Sequence, residues 1–408
     1  MGEILFLAHR IPFPPDRGDK IRSHHILKKL AQLAPVHVAT FADDEHDFAA
    51  EPQLSALAAS YRLERRTKPL PIAGIEALVS AKPVSVTAFH SRALESYVAQ
   101  ALASHPIDTI YVFSGQMGQY VPDSFSGRVV ADFVDVDSAK FEAYGAKKTG
   151  PRGWIDTREG RVLRAEEARM AARADLSLLI SDAEVALFRN RLPHGAARIE
   201  ALANGIDAVS FDPALAAPEP QLAHFAAPRL IFTGQMDYAP NIEAAERAID
   251  AILPLVRDAF PDASFHVVGR NPPQRLLDRH GRNGAFVWGR VPDMRAWLRA
   301  ADIALVPLSI GRGVQNKVLE AMAMQLPVVL TAEAATGIAA SDGRDFVVGK
   351  SDAALAEAVI ALARHPDEAE ATGKSARRFV IENASWEAAL AGLADIVFPD
   401  GAPVRNAA

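Results

Sequence analysis

The sequence contains no cysteine. Disulfides, thiolate metal sites and cysteine nucleophiles are excluded at once, and the chain is easiest to reconcile with a reducing, cytoplasmic setting. Long apolar runs are missing too: no stretch approaches the roughly 20 residues that span a bilayer. The opening residues, Met1–Arg10, have neither a basic start nor a small-residue cleavage site. They read as a first β-strand and not as a secretory leader. Positive charge is not in surplus either. Lys and Arg number 44 against 50 Asp and Glu, a net charge of −6, so nucleic acid is not an expected partner.

What is present is an ordinary globular composition, 49% hydrophobic and 23% charged, over 408 residues. That length exceeds one ordinary core, and two α/β domains of roughly 150–200 residues are the natural expectation. Ile4–Ala8 is the compact apolar run of a buried parallel strand. The prolines Pro12, Pro14 and Pro15 stop it, and a helical pattern begins near Ile21, with Val36–Phe41 as the next strand. This is the β-loop-α-β unit of an open parallel sheet. Thr109–Phe113, Val129–Val134 and Leu176–Ile180 continue the strands, with a further short one over Arg198–Leu202. Between Asp207 and Pro228, proline, alanine and small polar residues take over, which is the signature of a linker. The pattern then restarts. Leu230–Phe232, Phe265–Val268, Phe286–Val287, Ile303–Val306 and Val328–Leu330 are strand-like, and helical patterns cover Ile242–Val256, Lys317–Met324 and Trp386–Val397. Two consecutive α/β halves follow, with ligands expected at the carboxyl ends of their strands. Neither half has a G-x-G-x-x-G after its first strand, which disfavours a nicotinamide-dependent dehydrogenase.

Four loops carry candidate chemistry. In Pro14–Arg22, Gly18 would admit a ligand close to the backbone, and Lys20 and Arg22 would reinforce an anion site at the helix start. The competing reading is a plain βα turn with a solvated basic face. Gly234-Gln235-Met236-Asp237-Tyr238-Ala239-Pro240-Asn241 holds the corresponding place in the second half, with Asp237 or Asn241 also readable as a helix cap. Gly269-Arg270 ends a strand and would seat a nucleobase or phosphate, or be a solvated turn. The richest loop runs from Pro307 to Ala323. Arg312 stands between Gly311 and Gly313, Val314, Gln315, Asn316 and Lys317 open a helix, and Glu320 lies one turn further on. Helix-start amides with Arg312 and Lys317 suit a diphosphate, and Glu320 can accept two hydrogen bonds, as from a ribose diol. An i, i+3 pair of Glu320 with Lys317 is the structural alternative.

At this loop the chain resembles the C-terminal domain of GT-B glycosyltransferases of the family-4 type: Glu320-Ala321-Met322-Ala323, then Leu326–Leu330 and Gly337. It is closer still to the sugar transferases associated with exosortase/PEP-CTERM exopolysaccharide loci. Arg10–Arg22, Val134-Asp135-Val136-Asp137-Ser138, Gly234–Asn241 and Arg312–Ala323 carry that likeness. The resemblance implies a GT-B fold, two Rossmann-like domains with parallel sheets facing across a cleft. It implies a metal-independent, retaining transfer of a sugar from a nucleotide-sugar, a substrate and not a cofactor, to a glycan or lipid-linked glycan. The implied organisation is an acceptor domain over 1–207, a linker over 208–228, a donor domain over 229–383, and a segment 384–408 whose helix returns to the first domain.

The chain departs from the family pattern in three places. Arg312 stands where a first glutamate is usual, Gln235-Met236 where an arginine–lysine pair is usual, and Asp135 where a histidine is usual. Charge and position give Arg312 and Lys317 the leaving diphosphate in place of the missing groups, while Asp135 or Asp137 would deprotonate an acceptor hydroxyl or, with Ser138, cap the next helix. Lys140–Arg173 holds nine Lys/Arg against five Asp/Glu, with Trp154 among them. It reads as a basic face for anionic lipid, with peripheral contact at the inner face of the plasma membrane, or as a solvated helix with internal salt bridges. A non-catalytic sugar-nucleotide-binding subunit and a sugar-nucleotide epimerase on the same fold are the competing functions.

Overall fold

The computed structural model describes residues 2–147, 150–193, 198–311 and 313–399. The chain divides into two compact units. One runs to Asn204 and takes the chain back from Leu390, and the other is Gly205–Ala389.

The first unit is a seven-stranded sheet of β1 (Glu3–Ala8), β2 (Val36–Ala42), β3 (Ser60–Arg65), β4 (Ile107–Phe113), β5 (Arg128–Val134), β6 (Leu176–Leu179) and β7 (Ile199–Ala201). The order is β3-β2-β1-β4-β5-β6-β7, and every pairing is parallel. Parallel strands covered on both faces are largely apolar, as β1 and β2 are apart from Glu3, His37 and Thr40. The edge strand β3 escapes the sequence reading because its pattern is half-buried and charged, Ser-Tyr-Arg-Leu-Glu-Arg. The basic Lys140–Arg173 stretch includes a long helix, Gly150–Arg173. Many of its cations are spent on structure: Arg164 and Arg173 donate to backbone carbonyls, and Arg169 pairs with Glu166 at 2.6 Å.

A buried polar cluster ties the sheet to its first helix, Gly18–Leu33. Arg22, 1% exposed, grips Asp132 through Nε at 3.1 Å and Nη2 at 3.2 Å. Tyr111 donates its hydroxyl to the same carboxylate at 3.0 Å, and Asn204 accepts from Arg22 at 2.8 Å.

The second unit repeats the architecture with six parallel strands: β8 (Arg229–Thr233), β9 (Ser264–Val268), β10 (Ala285–Gly289), β11 (Ile303–Val306), β12 (Val328–Leu330) and β13 (Val347–Val348). The order is β10-β9-β8-β11-β12-β13, with all pairings parallel. The direction of winding reverses between β8 and β11, the place where open sheets of this kind bind ligands. The proline-rich stretch 208–228 does not hang free. Leu222 is fully buried, and Arg377 and Arg295 hold the carbonyls of Phe211 and Ser210. The stretch read as one last helix is two short ones, Trp386–Ala389 and Leu393–Val397. The second belongs to the first unit, where Thr109 and Arg128 donate to the carbonyls of Val397 and Ile396. No helix among the described residues is long and apolar enough to cross a membrane.

Candidate functional site

The carboxyl ends of β8, β9 and β10 and the loop after β11 converge on one recess of the second unit, about 580 Å³ in volume. The floor is made by glycine. A Cβ on Gly269 would lie 1.6 Å from the Gly234 carbonyl oxygen, and one on Gly234 would lie 2.9 Å from Asn241 Nδ2. Only glycine allows these backbones to meet. Backbone hydrogen bonds then lock the loops: Gly234 N to Val268 O at 3.1 Å, Met236 N to Arg270 O at 2.8 Å, and Gly269 N to Gly289 O at 2.8 Å.

Above this floor sits the helix Asn316–Ala323. Val318 and Leu319 turn inward to the core, which leaves Asn316, Lys317 and Glu320 toward the recess. Lys317 donates to Asn241 Oδ1, and Asn241 in turn donates to the Gln235 carbonyl at 2.8 Å. The ammonium also lies 4.8 Å from the Phe232 ring centroid. Burial lowers its pKa to about 8, only partly opposed by the nearby Glu320 charge. Burial likewise raises the Glu320 pKa, against the pull of Lys317. The two make no direct ion pair, and the Glu320 carboxylate has no hydrogen-bond partner among the described residues. The i, i+3 pair is therefore not what occupies Glu320.

The recess is electropositive: among the described residues, Arg270, Arg290 and Lys317 line it against the single acid Glu320. The Gln235 amide, with its oxygen toward Arg270, accepts from that guanidinium. The backbone N–H groups of Asn316 and Lys317 find no acceptor among the described residues, as expected of a first helical turn. Phe211, Val291, Met294 and Val314 supply an apolar flank. Cations, free amides and an unpaired carboxylate beside apolar surface can hold an anion, a diol and a flat ring together.

Of the residues singled out from the sequence, Gly234, Gln235, Asn241, Arg270, Val314, Asn316, Lys317 and Glu320 line this recess. Gly313 and Gln315 lie on the same loop, where Gln315 donates to the Gly313 carbonyl at 3.1 Å. Arg312 lies outside the described residues. Met236 is fully buried in the core, so its side chain is packing and not a ligand contact. Lys20 is corrected likewise. It is 1% exposed and spends its charge on the buried Asp47 and the Phe13 carbonyl, which leaves nothing for an anion. Gly18 has open space around its missing Cβ, so close approach does not require a glycine there.

Asp135 stands in the first unit, paired with Lys140 at 2.7 Å. The residue before it is strained: Val134 has φ +69°. A β-branched residue there costs about 1–3 kcal/mol. Asp132 Oδ1 and Ile180 N hold it in place, at 3.2 Å and 2.8 Å. Arg290 is the lining cation that the sequence reading lacks. Its signal was available, because Val287-Trp288-Gly289-Arg290 repeats the strand-Gly-Arg ending of Val267-Val268-Gly269-Arg270.

Residues 227–365 match the family model described as glycosyl transferases group 1. No curated protein matches the chain in sequence. Solved structures of the same fold are similar over nearly their whole length. HepE of Anabaena, determined in complex with UDP and glucose, is 15% identical with a TM-score of 0.58, covering 97% of this chain and 99% of its own. Sucrose-phosphate synthase from Thermosynechococcus elongatus is 17% identical with a TM-score of 0.59, covering 97% and 98%. WaaG, a glycosyltransferase involved in lipopolysaccharide biosynthesis, is 18% identical with a TM-score of 0.54, covering 97% and 99%. With two parallel α/β units and these likenesses, the chain has the GT-B fold, and its second unit carries the match to glycosyl transferases group 1.

Proposed function

We propose that the chain is a glycosyltransferase that binds a nucleotide-sugar in the recess of its second unit. The observation that carries this is the juxtaposition of Lys317 with Glu320 one turn away, a carboxylate with no partner among the described residues, beside Arg270 and Arg290 at the switch point of the sheet. Lys317, the free helix-start amides and the two arginines take the diphosphate. Glu320, acceptor-only when ionised, takes the ribose hydroxyls. The apolar flank at Phe211, Val291 and Met294 takes the base. Arg312 joins Lys317 in stabilising the leaving diphosphate, so that charge is neutralised by side chains and not by a divalent cation. Configuration is retained, since leaving-group stabilisation and not a strong base dominates the machinery. Asp135, held beside a strained turn, faces the acceptor chemistry. The acceptor is a glycan or lipid-linked glycan in exopolysaccharide synthesis, reached at the inner face of the plasma membrane.

Turnover separates this reading from its competitors. A panel of nucleotide-sugars is incubated with and without lipid-linked glycan acceptors, and free nucleoside diphosphate is measured. Release that requires an acceptor is the expected result. Release without acceptor identifies a hydrolase, and binding with no release under either condition identifies a non-catalytic subunit; each overturns the transferase reading.

A further inference from the structure

Outside the recess, one element of the first unit is built inside out. The helix Leu70–Val79 turns only Ala73 and Ala77, one turn apart, toward the body of the unit. Its large side chains point to solvent: Leu70, Ile72, Ile75, Leu78 and Val79 are all 50–85% exposed. A surface helix normally does the reverse and buries its large apolar residues. Contiguous exposed apolar surface of this kind marks a binding face.

The face continues onto the start of Gly150–Arg173. Arg158 donates to the Ala77 carbonyl at 2.7 Å, which caps the apolar helix. Glu159 accepts from the Val84 and Ser85 amides at 2.8 and 2.9 Å, which fixes the next turn. One turn before Arg158, on the same side of its helix, stand Trp154 and Ile155, 60% and 50% exposed. Beside the apolar helix runs a groove of about 710 Å³ that Lys68, Lys82 and Arg92 line against the single acid Glu76. Lys68 pairs with Glu76 at 2.7 Å, whereas Lys82 and Arg92 make no ion pair with a described residue.

We infer that this face docks on an anionic lipid surface, with Leu70–Val79 lying in the interface and Lys82 and Arg92 on lipid headgroups. Charge decides the occupant. A second copy paired through the same face would set Lys82 and Arg92 against their own counterparts, whereas an anionic leaflet matches them. Ten residues of helix reach about 15 Å, which suits an interfacial helix and not a span. The placement stands on the first unit alone, so its failure leaves the donor recess untouched.

The full chain is floated with phosphatidylcholine vesicles, with and without phosphatidylglycerol, at low and high salt. UDP affinity and oligomeric state are measured on the same samples. The wild type binds the phosphatidylglycerol vesicles, and salt weakens the binding. Ile75→Glu with Val79→Glu, and separately Lys82→Glu with Arg92→Glu, each lower binding about tenfold while UDP affinity stays unchanged. Wild type that ignores anionic vesicles, or variants that bind them as well, overturns the inference. So does a wild-type dimer that Ile75→Glu with Val79→Glu dissolves, which would make the face an interface between copies.

Discussion

Lys317→Ala lowers the affinity for a nucleoside diphosphate by one to two orders of magnitude. Lys317 is the half-buried cation of the recess, anchored by Asn241. A hydrogen bond from an ionised donor is worth about 1.5–3 kcal/mol. That range corresponds to roughly 10–100-fold in affinity. Arg270 and Arg290 are exposed, so their loss costs less. The pH profile provides a second signature. With a pKa of about 8 in the free protein, Lys317 is charged below that pH. A bound diphosphate favours the charged form and raises the pKa, so binding takes up a proton above pH 8. Affinity is therefore level below about pH 8 and falls above it, by up to about tenfold per pH unit. Lys317→Arg keeps its charge and flattens the alkaline limb. Calorimetric titration across pH reads both effects. A Lys317→Ala affinity equal to wild type removes Lys317 from the site.

The largest stability effect lies in the other unit. Asp132→Ala strips a buried guanidinium of its partner, because Arg22 has no water to turn to. Removing one member of a buried pair costs about 3–5 kcal/mol. For a unit of this size that lowers the melting temperature by about 6–20 °C. Two further groups lose an acceptor with it, the Tyr111 hydroxyl and the Val134 amide. Since Asp132 also holds the strained Val134 turn, the geometry around Asp135 relaxes as the unit weakens. Replacing both Arg22 and Asp132 by apolar residues of similar size recovers much of the loss, since no charge is then left buried. Scanning calorimetry of the single and double variants checks this, and a double variant no better than Asp132→Ala contradicts it.

The parallel architecture was legible because buried parallel strands declare themselves as unbroken apolar runs, as in Ile4–Ala8 and Ile303–Val306. Edge elements were not: β3 is charged because it is half-exposed, and Leu70–Val79 is apolar where exposure calls for polarity. The recess was legible at Gly234 and Arg270, where a loop follows its strand directly, and at Lys317, on the glycine-bounded loop after β11; Arg290 follows β10 just as directly and was missed. Cations in the first unit misled for a definite reason. Lys20 and Arg22 look like an anion site, but their partners Asp47 and Asp132 lie 27 and 110 residues away in sequence. Only the folded chain reveals that those charges are already matched. Met236 misled in a smaller way, since a residue on a ligand loop can still turn its side chain into the core.

The central claim is that the recess of the second unit is the donor site, and Glu320 tests it most directly. Its carboxylate makes no ion pair or hydrogen bond with a described residue that its loss would break. Nucleotide-sugars are screened for thermal stabilisation of the wild type and of Glu320→Ala. One donor raising the wild-type melting temperature, with the response lost in a variant that is otherwise equally stable, is the predicted result. A donor that stabilises both proteins equally, or no donor that stabilises the wild type, contradicts the placement of the donor in this recess.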